Sequence, residues 1–143
     1  ENTPVVSLDP SGIRKRIVTP SARLRASTIV VAGNVHLGAP LPRLAATLLP
    51  VWQYVAITEP LGDRLHDVIG YRGAVTDTAW LDQFRLLGDR LMWSSGVTTW
   101  PLDPKRMSGL LRKRAQSVFP ALGPVAIAEV WSGANGHAMV DVN

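Results

Sequence analysis

The sequence predicts an α+β fold built on a mostly antiparallel sheet, and three features of the chain indicate it. Short strand-like segments separated by turn residues fill the first 26 residues. Two strand-like runs around a Gly-Asp dipeptide form the strongest hairpin signal in the chain. One long amphipathic helix stands among the later strands, and strands and helices do not alternate regularly, which favours α+β over α/β.

The first third of the chain predicts a β-meander. The segments "PVVSL" (4–8), "IRKRIV" (13–18) and "ARLRA" (22–26) are short strand candidates. Residues 9–12, "DPSG", predict the turn between the first two, because Pro fixes φ, Asp hydrogen-bonds its own backbone and Gly tolerates positive φ.

A fourth strand is predicted directly after the meander. In residues 27–33, "STIVVAG", the apolar residues are continuous rather than alternating, which is typical of a strand covered on both faces in a parallel sheet. The strand would end on Ala32, Gly33 and Asn34. A buried strand that ends on small, turn-forming residues is a common place for a cofactor.

The middle of the chain mixes helices and strands. Residues 41–50 have helical apolar spacing, with Pro42 in the first turn and Pro50 as the predicted stop. Residues 51–59 predict a strand without clean alternation, so both of its faces are expected to be covered. Residues 60–70 predict a short helix or turn.

The second half contains the hairpin and the clearest helix. Strands are predicted at 73–80, at 82–87 and 90–96 around Gly88-Asp89, and at 125–133; the helix is predicted at 103–119. Asp103 is its N-cap candidate, Pro104 occupies the first turn, and Pro120 stops it. One apolar stripe is expected to face the core, formed by Met107, Leu110, Leu111, Ala115 and Val118.

Composition excludes several function classes. The 143 residues are 46% apolar and 18% charged, which indicates a globular domain with room for a piece of another. With no cysteine, disulfides, thiolate metal sites and a cysteine nucleophile are excluded, and a reducing, cytoplasmic location is expected. No apolar run is long enough for a membrane span. The net charge of +4 is concentrated at 14–16 and 105–114, which we interpret as solvated faces without nucleic-acid binding.

Motifs for metal or phosphate binding are absent from the sequence. His36, His66 and His137 lack ligand spacing, so no metal site is predicted. Neither G-x-G-x-x-G nor G-x-x-x-x-G-K-[ST] occurs. The chain therefore has no Gly-rich loop with which to hold a dinucleotide.

The order of these segments resembles FAD-dependent oxidoreductases of the D-amino-acid oxidase type, in the branch of glycine, sarcosine and gamma-glutamylputrescine oxidases. The meander running into "TIVVAGN" resembles the end of their FAD-binding domain. Four further stretches resemble the substrate domain and the approach to the last flavin segment: "LLPVWQYVAITEPL", "YRGAVTDT…DQFRLLGDRLMWSSG", "DPKRMSGLLRKRAQSVFPAL" and "AEVWSGANGHAM". The resemblance covers roughly residues 4–138. It implies that residues 1–49 are the tail of the FAD-binding domain and that residues 50–143 are a substrate-binding domain.

The resemblance also implies roles for individual residues. Residues 32–34 and 131–133 would contact or border FAD, and residues 84–85 would face the substrate. Arg85 is expected to pair with a substrate carboxylate, with an exposed strand arginine as the equal alternative. No general base is assigned, because the flavin does the hydride chemistry in this family. The implied residues are Ala32, Gly33 and Asn34 near the flavin, Trp131, Ser132 and Gly133 at its pocket, and Phe84 and Arg85 at the substrate.

Two departures from the family qualify this interpretation. The family's Gly-rich loop is absent, and the sequence stops after "VDVN" where a Pro-containing turn would follow. A first residue that is not Met also hints at processing. The sequence therefore predicts a middle-to-C-terminal part of an amine or amino-acid oxidoreductase that is inactive alone and completed by a second chain or a homo-oligomer. The alternative is a non-catalytic α+β module for oligomerisation or partner binding.

Overall fold

The computed structural model describes residues 2–77 and 82–139 and confirms the α+β class. Its strands form one three-stranded sheet, β1-β2-β3, and one five-stranded sheet, β5-β6-β7-β4-β8. Short 3-10 turns follow the third strand and the last helix. The elements are β1 (Ser7–Asp9), β2 (Lys15–Val18), β3 (Arg23–Ala26), α1 (Pro42–Ala45), β4 (Leu48–Thr58), α2 (Asp63–Val68), β5 (Val75–Thr76), β6 (Gln83–Leu87), β7 (Arg90–Thr98), α3 (Pro104–Val118) and β8 (Ile127–Ala138).

The chain divides into two compact units. Unit 1 comprises Glu1–Pro50 with Gly136–Asn143, and unit 2 comprises Val51–Asn135. Nearly all of the buried apolar residues belong to unit 2. In the described part of unit 1, only Thr19 and Leu37 are buried. Unit 2 therefore has its own hydrophobic core, whereas unit 1 has very little.

The predicted hairpin is confirmed and fixes the register of the larger sheet. Strands β6 and β7 pair antiparallel, with Leu87 opposite Arg90 and Phe84 opposite Trp93. Gly88 has a φ of 62° and Asp89 does not have positive φ, which is the pattern of a type II′ turn. Side chains alternate between the two faces of a sheet. Phe84 and Trp93 therefore share one face, and Arg85 and its register partner Met92 share the other.

The face that carries Trp93 is covered by α3. Leu111 and Ala115 of the helix are buried in one cluster with Trp93, Ala56 and Tyr54 of the sheet. Each buried aliphatic or aromatic side chain contributes about 1.5–3 kcal/mol relative to exposure. This face is therefore the core of unit 2.

A β-bulge adapts β7 to the helix. The register between β4 and β7 shifts at Gln53/Tyr54, which leaves Gly96 as the extra residue with a φ of 71°. A Cβ on Gly96 would lie 2.8 Å from Met107 Cε of α3. The Tyr54 hydroxyl is 2.8 Å from Thr98 Oγ1 and accepts from the Leu102 N–H at 3.0 Å, which anchors the chain that leads into the helix.

The strand predicted at 27–33 is wrong. These residues have no regular structure, and Val30 and Val31 are 85% and 45% exposed. Apolar character alone does not make a strand, because the backbone groups also need a neighbouring strand to bond. Among the described residues, no strand pairs with this segment.

Other boundaries also differ from the predicted ones. Helix α1 ends at Ala45, and Pro50 lies within β4 rather than stopping a helix. In α3, Asp103 is the N-cap as predicted, and its carboxylate accepts from the Lys105 N–H at 3.0 Å. The apolar stripe is narrower than expected, because Leu110 and Val118 are 45% and 49% exposed. No helix in the described ranges is long and apolar enough to cross a membrane.

We expect Gly96→Ala to destabilise the protein by about 1–3 kcal/mol, because a Cβ there combines positive φ with contact to Met107. Gly109→Ala is the matched control: it lies in α3 with nothing within 4 Å of the added Cβ. That change should stabilise the helix by about 0.5–1 kcal/mol. Urea unfolding of both variants measures the difference, and equal effects would contradict the bulge.

Candidate functional site

Two of the three residues predicted to lie near a flavin border an apolar cavity of unit 1. Ala32 and Gly33 line a cavity of about 400 Å³ together with Val30, Leu8 and Ile17. Leu8 and Ile17 are register partners on one face of the meander, so that face forms one wall. Ala32 is exposed and Gly33 is half-buried, and neither has a large side chain, which lets a flat group approach the backbone closely.

Asn34 differs from its two neighbours because its side chain is engaged. Its φ is 48°, a left-handed conformation that Asn tolerates better than most residues. Its side-chain oxygen accepts a hydrogen bond from the Gly136 N–H. A Cβ on Gly136 would lie 2.9 Å from that oxygen and 3.0 Å from Leu48 Cδ1. We call this pair the Asn34–Gly136 clasp.

The clasp is continued by a second contact within unit 1. The Met139 N–H donates to the Thr47 carbonyl at 2.9 Å. These two bonds tie the end of β8 to the segments around Asn34 and Thr47. The clasp therefore fixes the backbone directly after Ala32 and Gly33.

In unit 2, Phe84 and Arg85 lie on opposite faces of the sheet. Phe84 stacks on Trp93 with ring centroids 5.6 Å apart and meets Phe119 edge-on at 5.0 Å. This aromatic cluster belongs to the core, so the Phe84 ring has a packing role. The substrate contact predicted for Phe84 stays a prediction.

Arg85 lies on the face that α3 does not cover. It is exposed, and no ion pair or hydrogen bond holds its guanidinium among the described residues. Its register partner is Met92, and Gln83 pairs with Ser94 in the next row of the same face. These residues line a cavity of about 320 Å³ together with Val75 and Thr76, and Phe84 also contributes to its lining. We call this surface the Arg85 face.

Gln83, Met92 and Ser94 were not singled out by sequence reasoning. The signal was available, since a two-residue loop at Gly88-Asp89 fixes which residues face each other. Counting outward from that loop places Met92 beside Arg85. Alternation then puts Gln83 and Ser94 on the same face.

Trp131, Ser132 and Gly133 occupy the middle of β8 rather than its end, which corrects the predicted strand end at 133. Trp131 is 40% exposed, and a Cβ on Gly133 would have nothing within 4 Å. This stretch belongs to unit 2, whereas Ala32, Gly33 and Asn34 belong to unit 1. Its contact with a cofactor stays a prediction.

The profile of the FAD dependent oxidoreductase family, DAO, matches residues 1–141.

The chain belongs to the DAO family of FAD-dependent oxidoreductases.

Two curated DAO relatives match most of the chain. Gamma-glutamylputrescine oxidoreductase of Escherichia coli (strain K12) is 33% identical over 119 residues, which cover 80% of this chain and 28% of that protein. The probable oxidoreductase OrdL of Haemophilus influenzae is 28% identical over 141 residues, covering 93% of this chain and 32% of that protein. The chain therefore spans about a third of the length of these relatives.

Two solved structures share the fold. Glycine oxidase from Geobacillus kaustophilus superimposes with a TM-score of 0.67 at 18% sequence identity. The match covers 97% of this chain and 37% of the glycine oxidase chain. L-amino acid deaminase from Proteus vulgaris superimposes with a TM-score of 0.60 at 20% sequence identity. The match covers 96% of this chain and 35% of the deaminase chain. At this identity the likeness shows the DAO fold.

The described residues do not fit the diphosphate of FAD. Such a group is held by free amides at a helix N-terminus. Helices α1 and α3 carry Pro42 and Pro104 in their first turns, and proline has no N–H. The Asp103 carboxylate already occupies the Lys105 amide of α3, and α2 begins with Asp63. Both carboxylates would repel a phosphate.

Metal binding has no support among the described residues. Residues 2–77 and 82–139 contain no group of three or more His, Asp or Glu side chains placed to hold a metal ion.

We expect Gly136→Ala to break the clasp, because the added Cβ would displace the Asn34 side chain. The cost should be about 1–3 kcal/mol of unfolding free energy. Gly133→Ala on the same strand is the control, since it adds a methyl group to open space. Urea unfolding measures both variants.

Asn34→Gly separates the hydrogen bond of the clasp from the left-handed backbone conformation at residue 34. It keeps the left-handed backbone and removes the acceptor for the Gly136 N–H. It should cost less than Asn34→Ala, which also forces a β-carbon into positive φ. Equal stability of all four variants would contradict the clasp.

Proposed function

We propose that this chain is part of an FAD-dependent oxidoreductase that oxidises an amine or an amino acid by oxidative deamination. In this proposal the flavin supplies the two-electron chemistry, and the chain supplies orientation and substrate contacts. Residues 1–49 are the tail of the FAD-binding domain and residues 50–143 the substrate domain. The cytoplasmic location expected from the sequence stays a prediction.

The observation that carries the proposal is the Arg85 face. A five-stranded sheet has one face covered by α3, while its other face presents an unpaired guanidinium in a cavity lined by both apolar and polar side chains. Arginine binds a carboxylate through two parallel hydrogen bonds. The names of the relatives point the same way: glycine oxidase and L-amino acid deaminase act on molecules with a carboxylate beside the amine.

The chain is proposed to be inactive without further polypeptide. An FAD diphosphate needs backbone amides that the described helices do not offer. Ala32, Gly33 and the clasped Asn34 would then meet only the ring end of the cofactor, through backbone and small side chains. The Gly-rich loop would come from a second chain or from another part of the same enzyme.

The first test is flavin binding. We expect the 143-residue polypeptide to retain almost no flavin absorbance after incubation with FAD and desalting. Co-expression with a polypeptide that carries a family G-x-G-x-x-G segment should restore bound flavin. Stoichiometric FAD on the 143 residues alone would contradict the proposal.

The second test is substrate recognition by Arg85 in the flavin-loaded enzyme. Arg85→Gln should raise KM for an amino-acid substrate by about tenfold or more, the loss of one charge-assisted contact. The KM for an amine that lacks the carboxylate should not change. Arg85→Lys should recover part of the effect, because it keeps the charge without the planar fork.

Arg112→Gln is the matched control for Arg85. It removes the same charge from an exposed position on α3, which covers the opposite face of the sheet. If both variants change KM equally, or if Arg85→Gln affects both substrate classes alike, Arg85 does not bind the carboxylate.

A further inference from the structure

A row of charged residues crosses the meander on the face opposite Leu8 and Ile17. The register places Asp9 opposite Arg16 and Arg16 opposite Arg25, so the three side chains share one face of the sheet. Two guanidiniums directly opposite each other on neighbouring strands repel and weaken the pairing. The sheet therefore carries an unfavourable pair, Arg16 and Arg25, whose repulsion is not offset by an ion pair within the described residues of the sheet.

The one carboxylate of this row is engaged elsewhere. Asp9 accepts from the Ser11 N–H at 2.9 Å and from the Ser11 hydroxyl. These two bonds, with a smaller contribution from the charge of Arg16, hold the pKa of Asp9 below its usual value. No ion pair forms between Asp9 and either arginine within the described residues. The carboxylate stabilises the turn rather than neutralising the row.

The arginines surround a polar surface cavity. Arg14 joins Arg16 and Arg25 in its lining, together with Asp9, Ser11 and the Gly12 turn, and its volume is about 410 Å³. Three guanidiniums against one carboxylate leave a local charge of +2. Lys15 does not line the cavity, and its ammonium donates to the Gly12 carbonyl at 2.7 Å.

We propose that Arg14, Arg16 and Arg25 form a binding site for a phosphate group. Guanidinium forks on adjacent strands suit the several oxygens of a phosphoryl group, which accept parallel hydrogen bonds from more than one arginine. A bound dianion would also remove the repulsion between Arg16 and Arg25. The site lies wholly in unit 1 and does not depend on the proposed oxidation reaction.

Calorimetric titration of the full chain with inorganic phosphate at constant ionic strength tests the site. Arg16→Gln and Arg25→Gln should each weaken binding by about tenfold or more. Arg23→Gln is the matched control, because Arg23 lies on the same strand as Arg25 but does not line the cavity. Its affinity should stay within about twofold of the unmodified protein.

The Tm of Arg25→Gln in phosphate-free buffer is a second measurement, and it distinguishes a binding role of Arg25 from a purely structural one. If Arg25 only supported the fold, Arg25→Gln would lower the Tm. Relief of repulsion predicts an unchanged or higher Tm in phosphate-free buffer and the loss of the Tm increase that phosphate causes in the unmodified protein.

Two phosphate sources are distinguished by adding phosphatidylcholine vesicles that contain phosphatidic acid. Binding of inorganic phosphate but not of vesicles assigns a soluble phosphate compound, and vesicle binding lost in Arg25→Gln assigns a lipid headgroup. The proposal is overturned if sodium chloride at equal ionic strength reproduces the Tm increase. It is also overturned if Arg23→Gln weakens binding as much as Arg25→Gln.

Discussion

A strand exists only where a neighbour bonds its backbone groups, and the sheets of both units depend on this requirement. Strand β4 lies between β7 and β8, and it contributes Tyr54 and Ala56 to the core of unit 2. Residues 27–33 are just as apolar, yet no described strand pairs with them and Val30 is exposed. Pairing, more than hydrophobicity, decides which apolar runs become part of a sheet here.

The same constraint shapes the functional surfaces. In unit 2 the hairpin and α3 bury one sheet face, which leaves Arg85 on an accessible face held by a rigid scaffold. In unit 1 the backbone around Gly33 is held by the Asn34–Gly136 clasp and by packing on Leu37, rather than by a sheet. The backbone around Gly33 is therefore positioned by few interactions, which single substitutions can remove.

Within the described residues of this DAO-family chain, the helix ends do not suit a phosphate. The chain spans about a third of the length of its curated relatives. Pro104 and Asp103 stabilise the start of α3, and both make that start unsuitable for an anion. Local stability and phosphate binding therefore compete at this helix end.

The sequence by itself determined the elements with local causes. The Gly88-Asp89 turn, the Asp103 cap and the turn at Asp9 follow from residues adjacent in the chain, and so did the α+β class. The tertiary structure decided what depends on distant partners: the unpaired state of 27–33, the bulge at Gly96 against Met107, and the opposition of Arg16 and Arg25. Hydrogen bonds and packing between residues far apart in sequence leave no periodic pattern, and for this reason they became visible only in the folded chain.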